Sequence, residues 1–139
     1  MKEELVKIEE LIGNFEDLDK SNMKELMLKF FANLSNRVEK YIGDYPTFIE
    51  PVYLGENVKI GDDVLLGPNV YIGSNSEIQD YDEISNTIIF DNVTIGENFK
   101  LENCIVGKDS SLKFKNLDMK NSVLIGEAIS KDELQCKKF

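Results

Sequence analysis

Between Val52 and Asn75 the chain repeats itself every six residues. In register it reads Val52-Tyr-Leu-Gly55-Glu-Asn57, Val58-Lys-Ile-Gly61-Asp-Asp63, Val64-Leu-Leu-Gly67-Pro-Asn69 and Val70-Tyr-Ile-Gly73-Ser-Asn75. Six is neither the helix period nor the alternation of a simple strand. Each hexad supplies a short β-favouring piece, then glycine, then a variable residue, then Asn or Asp. Glycine tolerates a sharp corner, and Asn or Asp is next best where φ turns positive. A hexad is therefore one short strand and one turn. The aliphatic residue before each glycine (Ile60, Leu66, Ile72) is expected to point inward, with the valine four residues on packed beside it. Three such edges close a triangular coil of about 18 residues, and coils stack at the ordinary strand spacing of about 4.8 Å. No single coil can bury its own aliphatic ridge, so an array is required.

The inward series continues at Ile78 and Ile84, although Gln79 and Ser85 replace the glycine. One edge is then shortened, because Ile84 to Ile89 and Leu101 to Val106 each take five residues. A second repeat emerges at coil length, in which Asn86, Asn103 and Asn121 are spaced by 17 and 18 residues. These asparagines are expected to stack at one corner as a side-chain ladder between successive turns. Lys113 to Lys120 fits the hexad poorly and is expected to bulge as a loop. After Ile129 the lysine-rich end either caps the array or frays.

Residues 1–45 carry a helical period instead. Leu5, Ile8, Ile12 and Phe15 share one face of a first helix, and Gly13 to Lys20 reads as a break. A second helix is expected from Asn22, capped there with Glu25 as the other half of a capping box. Met23, Met27, Phe30, Leu34, Val38 and Tyr41, broadened by Leu26, Phe31 and Ile42, form its apolar stripe. Gly43 and Pro46 end it. The stripe is expected to pack on the rest of the chain or on a copy of itself.

Charge and composition exclude several function classes. A net charge of −10 argues against nucleic acid, whose phosphates need a basic footprint. No apolar run approaches a membrane span, and the first ten residues lack the apolar core of a signal peptide. Two cysteines far apart, Cys104 and Cys136, make no disulfide framework, so the expected location is cytoplasmic. The chain has no histidine, which removes the commonest general base near neutral pH and the commonest metal ligand.

The hexads of 52–75 with "SNTIIFDNVTIGENFKLENCIVG" resemble hexapeptide-repeat proteins, roughly from Phe48 to Gly126. More narrowly, they are similar to the C-terminal β-helix domain of sugar-phosphate nucleotidyltransferases such as mannose-1-phosphate guanylyltransferases. The helical leader before a β-helix also resembles short proteins related to UDP-N-acetylglucosamine pyrophosphorylase. The resemblance implies a left-handed parallel β-helix of about four to five coils after a two-helix N-terminal segment, against the usual crossover rule. The expected organisation is a helical leader over 1–47, the β-helix over 48–129 and a tail over 130–139. In the full enzymes the chemistry belongs to a separate N-terminal domain with a glycine-rich loop. Residues 1–47 hold only Gly13 and Gly43, so nucleotidyl transfer cannot reside in this chain alone.

The resemblance implies a non-catalytic or degenerate module that oligomerises, regulates or binds a partner in sugar-nucleotide metabolism. The expected partners are further copies of the chain, as a trimer, and a separate nucleotidyltransferase catalytic subunit, with no nucleic acid or membrane. Tyr53 and Tyr71 fall between inward residues and are expected to face outward, where aromatics suit an interface. The alternative is an acyl- or acetyl-CoA-dependent transferase, which usually needs a histidine base. Asp80, Asp82 or Glu83 would have to substitute, with a pKa raised by burial, although "QDYDE" otherwise reads as a solvated turn. A related carbonic anhydrase binds zinc through three histidines and is excluded. Cys104 reads as a small corner residue rather than a nucleophile, because nothing would activate it. No catalytic or metal-binding residue is assigned and no cofactor-binding residue is named. A cofactor, acetyl-CoA or CoA, is expected only under the alternative.

Overall fold

The computed structural model describes residues 1–43 and 45–139. Helices α1 (Lys2–Ile12) and α2 (Lys20–Ala32) flank a 3-10 turn at Phe15–Asp17 and pack on each other. The chain then winds into a parallel β-helix of about five coils. The first coil carries β1 (Ile42–Gly43) and β2 (Thr47–Phe48). The second holds β3 (Val52–Leu54), β4 (Lys59–Ile60) and β5 (Leu65–Leu66), and the third β6 (Val70–Ile72), β7 (Glu77–Ile78) and β8 (Glu83–Ser85). The fourth holds β9 (Thr87–Ile89), β10 (Thr94–Ile95) and β11 (Phe99–Glu102), and the fifth β12 (Ile105–Val106), β13 (Ser111–Leu112) and β14 (Leu117–Lys120). Strands β15 (Ser122–Ile125) and β16 (Glu127–Ala128) begin one more turn, and β17 (Gln135–Lys138) folds back antiparallel on β15.

Stacking these coils produces three sheets, the faces of a prism. The first face runs β3-β6-β9-β12-β15-β17, the second β1-β4-β7-β10-β13-β16, and the third β2-β5-β8-β11-β14. Register follows coil length. Val70 pairs with Val52, 18 residues back, but with Thr87, 17 residues on, where the shortened edge was expected. The aliphatic columns point inward as the hexads predict, and Leu54, Ile60, Leu66, Ile72, Ile78 and Ile84 are all buried.

The corners differ from the expectation in one respect. Left-handed φ falls on the last residue of each hexad, an Asn or Asp except at Tyr81, and among the glycines of residues 52–75 only Gly67 also has positive φ. Asn57, Asn75, Asn92 and Asp109 stack at one corner, with φ between 55 and 62°. Asp63, Tyr81, Asn98 and Asn116 stack at the second, and Asn69, Asn86, Asn103 and Asn121 at the third. Most glycines answer a different constraint, clearance from the next coil. A Cβ at Gly73 would sit 2.6 Å from the Asp91 amide nitrogen, and one at Gly61 would sit 2.9 Å from that of Asp80.

Two further expectations are corrected, and one left open is decided. Helix α2 starts at Lys20 with Asp19 as its cap, whose Oδ1 accepts from the Asn22 N–H, and it ends at Ala32. Asn33, Ser35 and Asn36 favour local side-chain hydrogen bonds over helix. Asn36 Oδ1 takes the Val52 N–H and Arg37 bridges Tyr53, so coil pairing competes successfully there. Val38 and Tyr41 therefore pack on the prism interior rather than extending a helical stripe. Leu117–Lys120 is not a bulge but strand β14, in register with β11, because Asn116 makes the corner and Leu117 takes an inward place. The lysine-rich end caps the array, through β17 and the buried Phe139.

Because Gly73 is present for clearance, Gly73→Ala is expected to lower stability by about 1–3 kcal/mol, the usual cost of overpacking. Urea unfolding of the two chains gives the difference, and equal stability would contradict the clearance account.

Candidate functional site

The first face is occupied by the chain's own helices. Ile88, Ile105 and Val123 point outward from it, yet each is fully buried in a cluster with Ile8, Met23, Met27 and Phe30. The tyrosines belong to the same contact. Phe30 meets Tyr71 edge-on at 5.5 Å, and Tyr71 stacks on Tyr53 at 5.2 Å. Burial pushes the Tyr71 hydroxyl up to about 12. The Arg37 guanidinium lies 5.6 Å from the centre of the Tyr53 ring and pairs with Glu56. Tyr53 and Tyr71 do face outward at an interface, but an internal one.

The third face is a field of alternating charge. In parallel register Glu83, Lys100 and Asp118 form one row, and Ser85, Glu102 and Lys120 the next. Glu83 lies 4.0 Å from Lys100, and Glu102 lies 4.0 Å from Lys120. Exposed pairs like these contribute little stability, but opposite signs avoid the repulsion that like charges in register would bring. The rows line a shallow depression of about 290 Å³.

The three carboxylates of "QDYDE" separate completely. Asp80 sits before a corner, where its Oδ1 accepts the Asp62 N–H at 2.8 Å. Ser74 and Asp91 do the same work at the neighbouring corner, accepting from Glu56 and Ser74. Glu83 is exposed on the third face. Asp82 points inward and is fully buried, between Val64 of the coil below and Phe99 of the coil above. Its Oδ1 accepts the Phe99 N–H at 2.7 Å, while Oδ2 has no hydrogen-bond partner.

Asp82 belongs to a set that sequence reading missed. Ser76, Thr87 and Ser110 also take inward valine places, and each accepts an N–H from the following coil: Val93, Cys104 and Gly126 respectively. The signal was available, since Asp82 lies two residues before the inward Ile84, as Val58 lies two before Ile60. Desolvation drives the Asp82 carboxyl up from 3.8 to about 8, with Asp80 and Glu97 adding repulsion and the Phe99 N–H opposing. Near neutral pH it is chiefly a protonated acid. Cys104 is also buried, its thiol is pushed up to about 11 by desolvation, and its Sγ lies 3.4 Å from the carbonyls of Glu102 and Met119. Among the described residues no three His, Cys, Asp or Glu side chains are grouped to hold a metal, and no helix is long and apolar enough to cross a membrane.

Comparison with known proteins agrees with the repeat. Residues 48–138 match the family model described as the GMPPB C-terminal domain. No curated protein matches the chain. Among solved structures, a maltose O-acetyltransferase from Clostridium difficile 630 is 15% identical with a TM-score of 0.40, over 95% of this chain and 82% of that one. A hexapeptide-repeat acetyltransferase from Vibrio cholerae is 14% identical, with a TM-score of 0.29 over 99% of this chain and 86% of that one. A mutant perosamine N-acetyltransferase from Caulobacter crescentus, in complex with CoA and GDP-perosamine, is 13% identical with a TM-score of 0.29, over 87% of this chain and 66% of that one. At these values the likenesses carry no functional weight.

The buried acid has a pH signature. Its folded pKa of about 8 lies above the ordinary carboxyl value of 3.8, so the folded state holds a proton that the unfolded chain releases. Its stabilising share is complete below the lower value, falls by up to about 1.4 kcal/mol per pH unit across that window, and levels off above the upper value. In Asp82→Asn, Oδ1 still accepts from Phe99 but no proton is lost. Chemical denaturation from pH 4 to 9 is expected to show a shallower loss of stability for the variant. Parallel curves would refute the buried-acid account.

Proposed function

The chain belongs to the GMPPB C-terminal domain family, and on that footing we propose that it is a non-catalytic or degenerate β-helix module related to sugar-phosphate nucleotidyltransferases. It acts in oligomerisation, regulation or partner binding in sugar-nucleotide metabolism, as a homo-oligomer with a trimer expected, or beside a separate nucleotidyltransferase catalytic subunit. The family match spans the β-helix, residues 48–138, and so supports a relation through that domain rather than through a nucleotide-binding one.

The observation that carries this reading is where the three candidate carboxylates lie. Asp80 holds a corner N–H, Asp82 is sealed in the interior, and Glu83 stands in a charge row beside Lys100. Each has a structural duty. A general base must reach the proton it abstracts, within hydrogen-bond distance or through one water. Asp82 has the raised pKa that such a base needs, but it has no exposed surface. CoA-dependent acyl transfer, the alternative, is left with Glu83, the one of the three that is exposed, standing beside Lys100.

Association has room on the second and third faces and at the end formed by the first coil, since the chain's own helices cover the first face. Light scattering at micromolar concentration is expected to give a stable oligomer of the 15.9 kDa chain. A monomer would overturn the assembly reading. In parallel, millimolar CoA and acetyl-CoA are expected to leave the melting temperature unchanged, and a clear upward shift would favour the acyltransferase.

A further inference from the structure

Beside the third corner the structure holds a groove that neither its packing nor its family explains. Its volume is about 450 Å³, with Lys24, Leu28 and Phe31 of α2 on one wall and Asn86, Asn103 and Asn121 on the other. The two walls match in length. Residues at i, i+4 and i+7 of a helix span about 10.5 Å, and two coil steps span about 9.6 Å.

The asparagine ladder is interrupted along this groove. Asn69 Nδ2 donates to Asn86 Oδ1 at 3.0 Å, and Asn103 Nδ2 donates to Asn121 Oδ1 at 2.7 Å. No such bond joins Asn86 to Asn103 among the described residues, leaving the Asn86 amide donor and the Asn103 carbonyl acceptor free of protein partners. A carboxamide has the polar groups of a peptide unit. This donor and acceptor, one strand spacing apart, can therefore meet the C=O and N–H of an extended backbone, as a sheet edge does.

The facing wall supplies the rest of a peptide's needs. Leu28 is apolar and 74% exposed, with Phe31 half-buried three residues on. Lys24 forms no ion pair among the described residues, whereas Glu102 on the ladder wall lies 4.0 Å from Lys120. The uncompensated charge in the groove is therefore a cation.

We propose that this groove docks an extended segment of a partner protein, about three residues long, with its backbone on Asn86 and Asn103. An apolar side chain lies on Leu28 and Phe31, and an acidic one pairs with Lys24. The proposal deepens the partner-binding reading above and rests on it. Its failure is distinct, because homo-association in light scattering involves no peptide.

The test is to pan a random heptapeptide phage library on the full chain and titrate synthesised winners by fluorescence anisotropy. Enriched sequences are expected to place an acidic residue one or two positions from an apolar one. Leu28→Lys and Lys24→Glu, at exposed helix positions, are each expected to weaken binding by about tenfold, as loss of a central contact does. Asn103→Gly accepts the left-handed backbone and deletes the amide, so it is expected to weaken the same peptides with the fold retained by circular dichroism. Failure to enrich any related sequences would overturn the proposal. So would winners that bind all three variants unchanged, or a groove whose Leu28 and Asn103 resonances move with free monosaccharide or CoA but not with peptide.

Discussion

Everything in this molecule depends on holding three residues per coil in the left-handed region, at the same height in every coil. An ordinary L-residue loses about 1–2 kcal/mol there, and Asn or Asp loses least after glycine because a short polar side chain bonds locally. In an array the local bond becomes an inter-coil one. Asn57 reaches Asn75, Asn92 reaches Asp109, and Asn98 reaches Asn116. A glycine corner would bend as well but would offer no rung. That separates the two roles within each hexad: the amide turns the corner, and the glycine lets the next coil's backbone come close.

Fixed corners make flat faces, and the faces divide the work. The first carries Ile88, Ile105 and Val123 outward, an apolar stripe that water would penalise and that α1 and α2 cover. The third carries charge in alternating rows, which keeps a parallel stack of identical registers free of self-repulsion. The antiparallel β17 closes the far end, as an array of open edges requires. One face thus binds the leader, one carries balanced charge, and one end is capped by β17.

Much of this was legible because the repeat is strict. Glycine plus Asn or Asp every six residues gave the coil, and Asn86, Asn103 and Asn121 at coil length gave one corner column, in which, among the described residues, a rung joins Asn103 to Asn121 but not Asn86 to Asn103. The errors arose where one residue type serves two structures. The stripe from Met23 to Tyr41 is helical in period, yet only its first part is helix, because tertiary pairing of Asn36 and Arg37 with the second coil outbids weak helix formers. Lys113 to Lys120 lacks the glycine that advertised other corners, so Asn116 and Leu117 had to be recognised alone. The groove beside the ladder could not be read at all, because it joins a helix to a corner more than fifty residues away.

The acid at Asp82 shows why a perturbed pKa is a weak guide to chemistry on this fold. Catalytic carboxylates and buried structural ones are raised by the same desolvation, so the shift cannot separate them. Position in the coil can. The inward place next to a corner leaves the following coil's N–H in need of an acceptor, and Ser76, Thr87 and Ser110 meet it with hydroxyls. Asp82 meets the same need under Phe99, where protonation keeps the acceptor without burying a charge. With the raised carboxylate of Asp82 turned inward, the side chains a partner can reach are those of the surfaces.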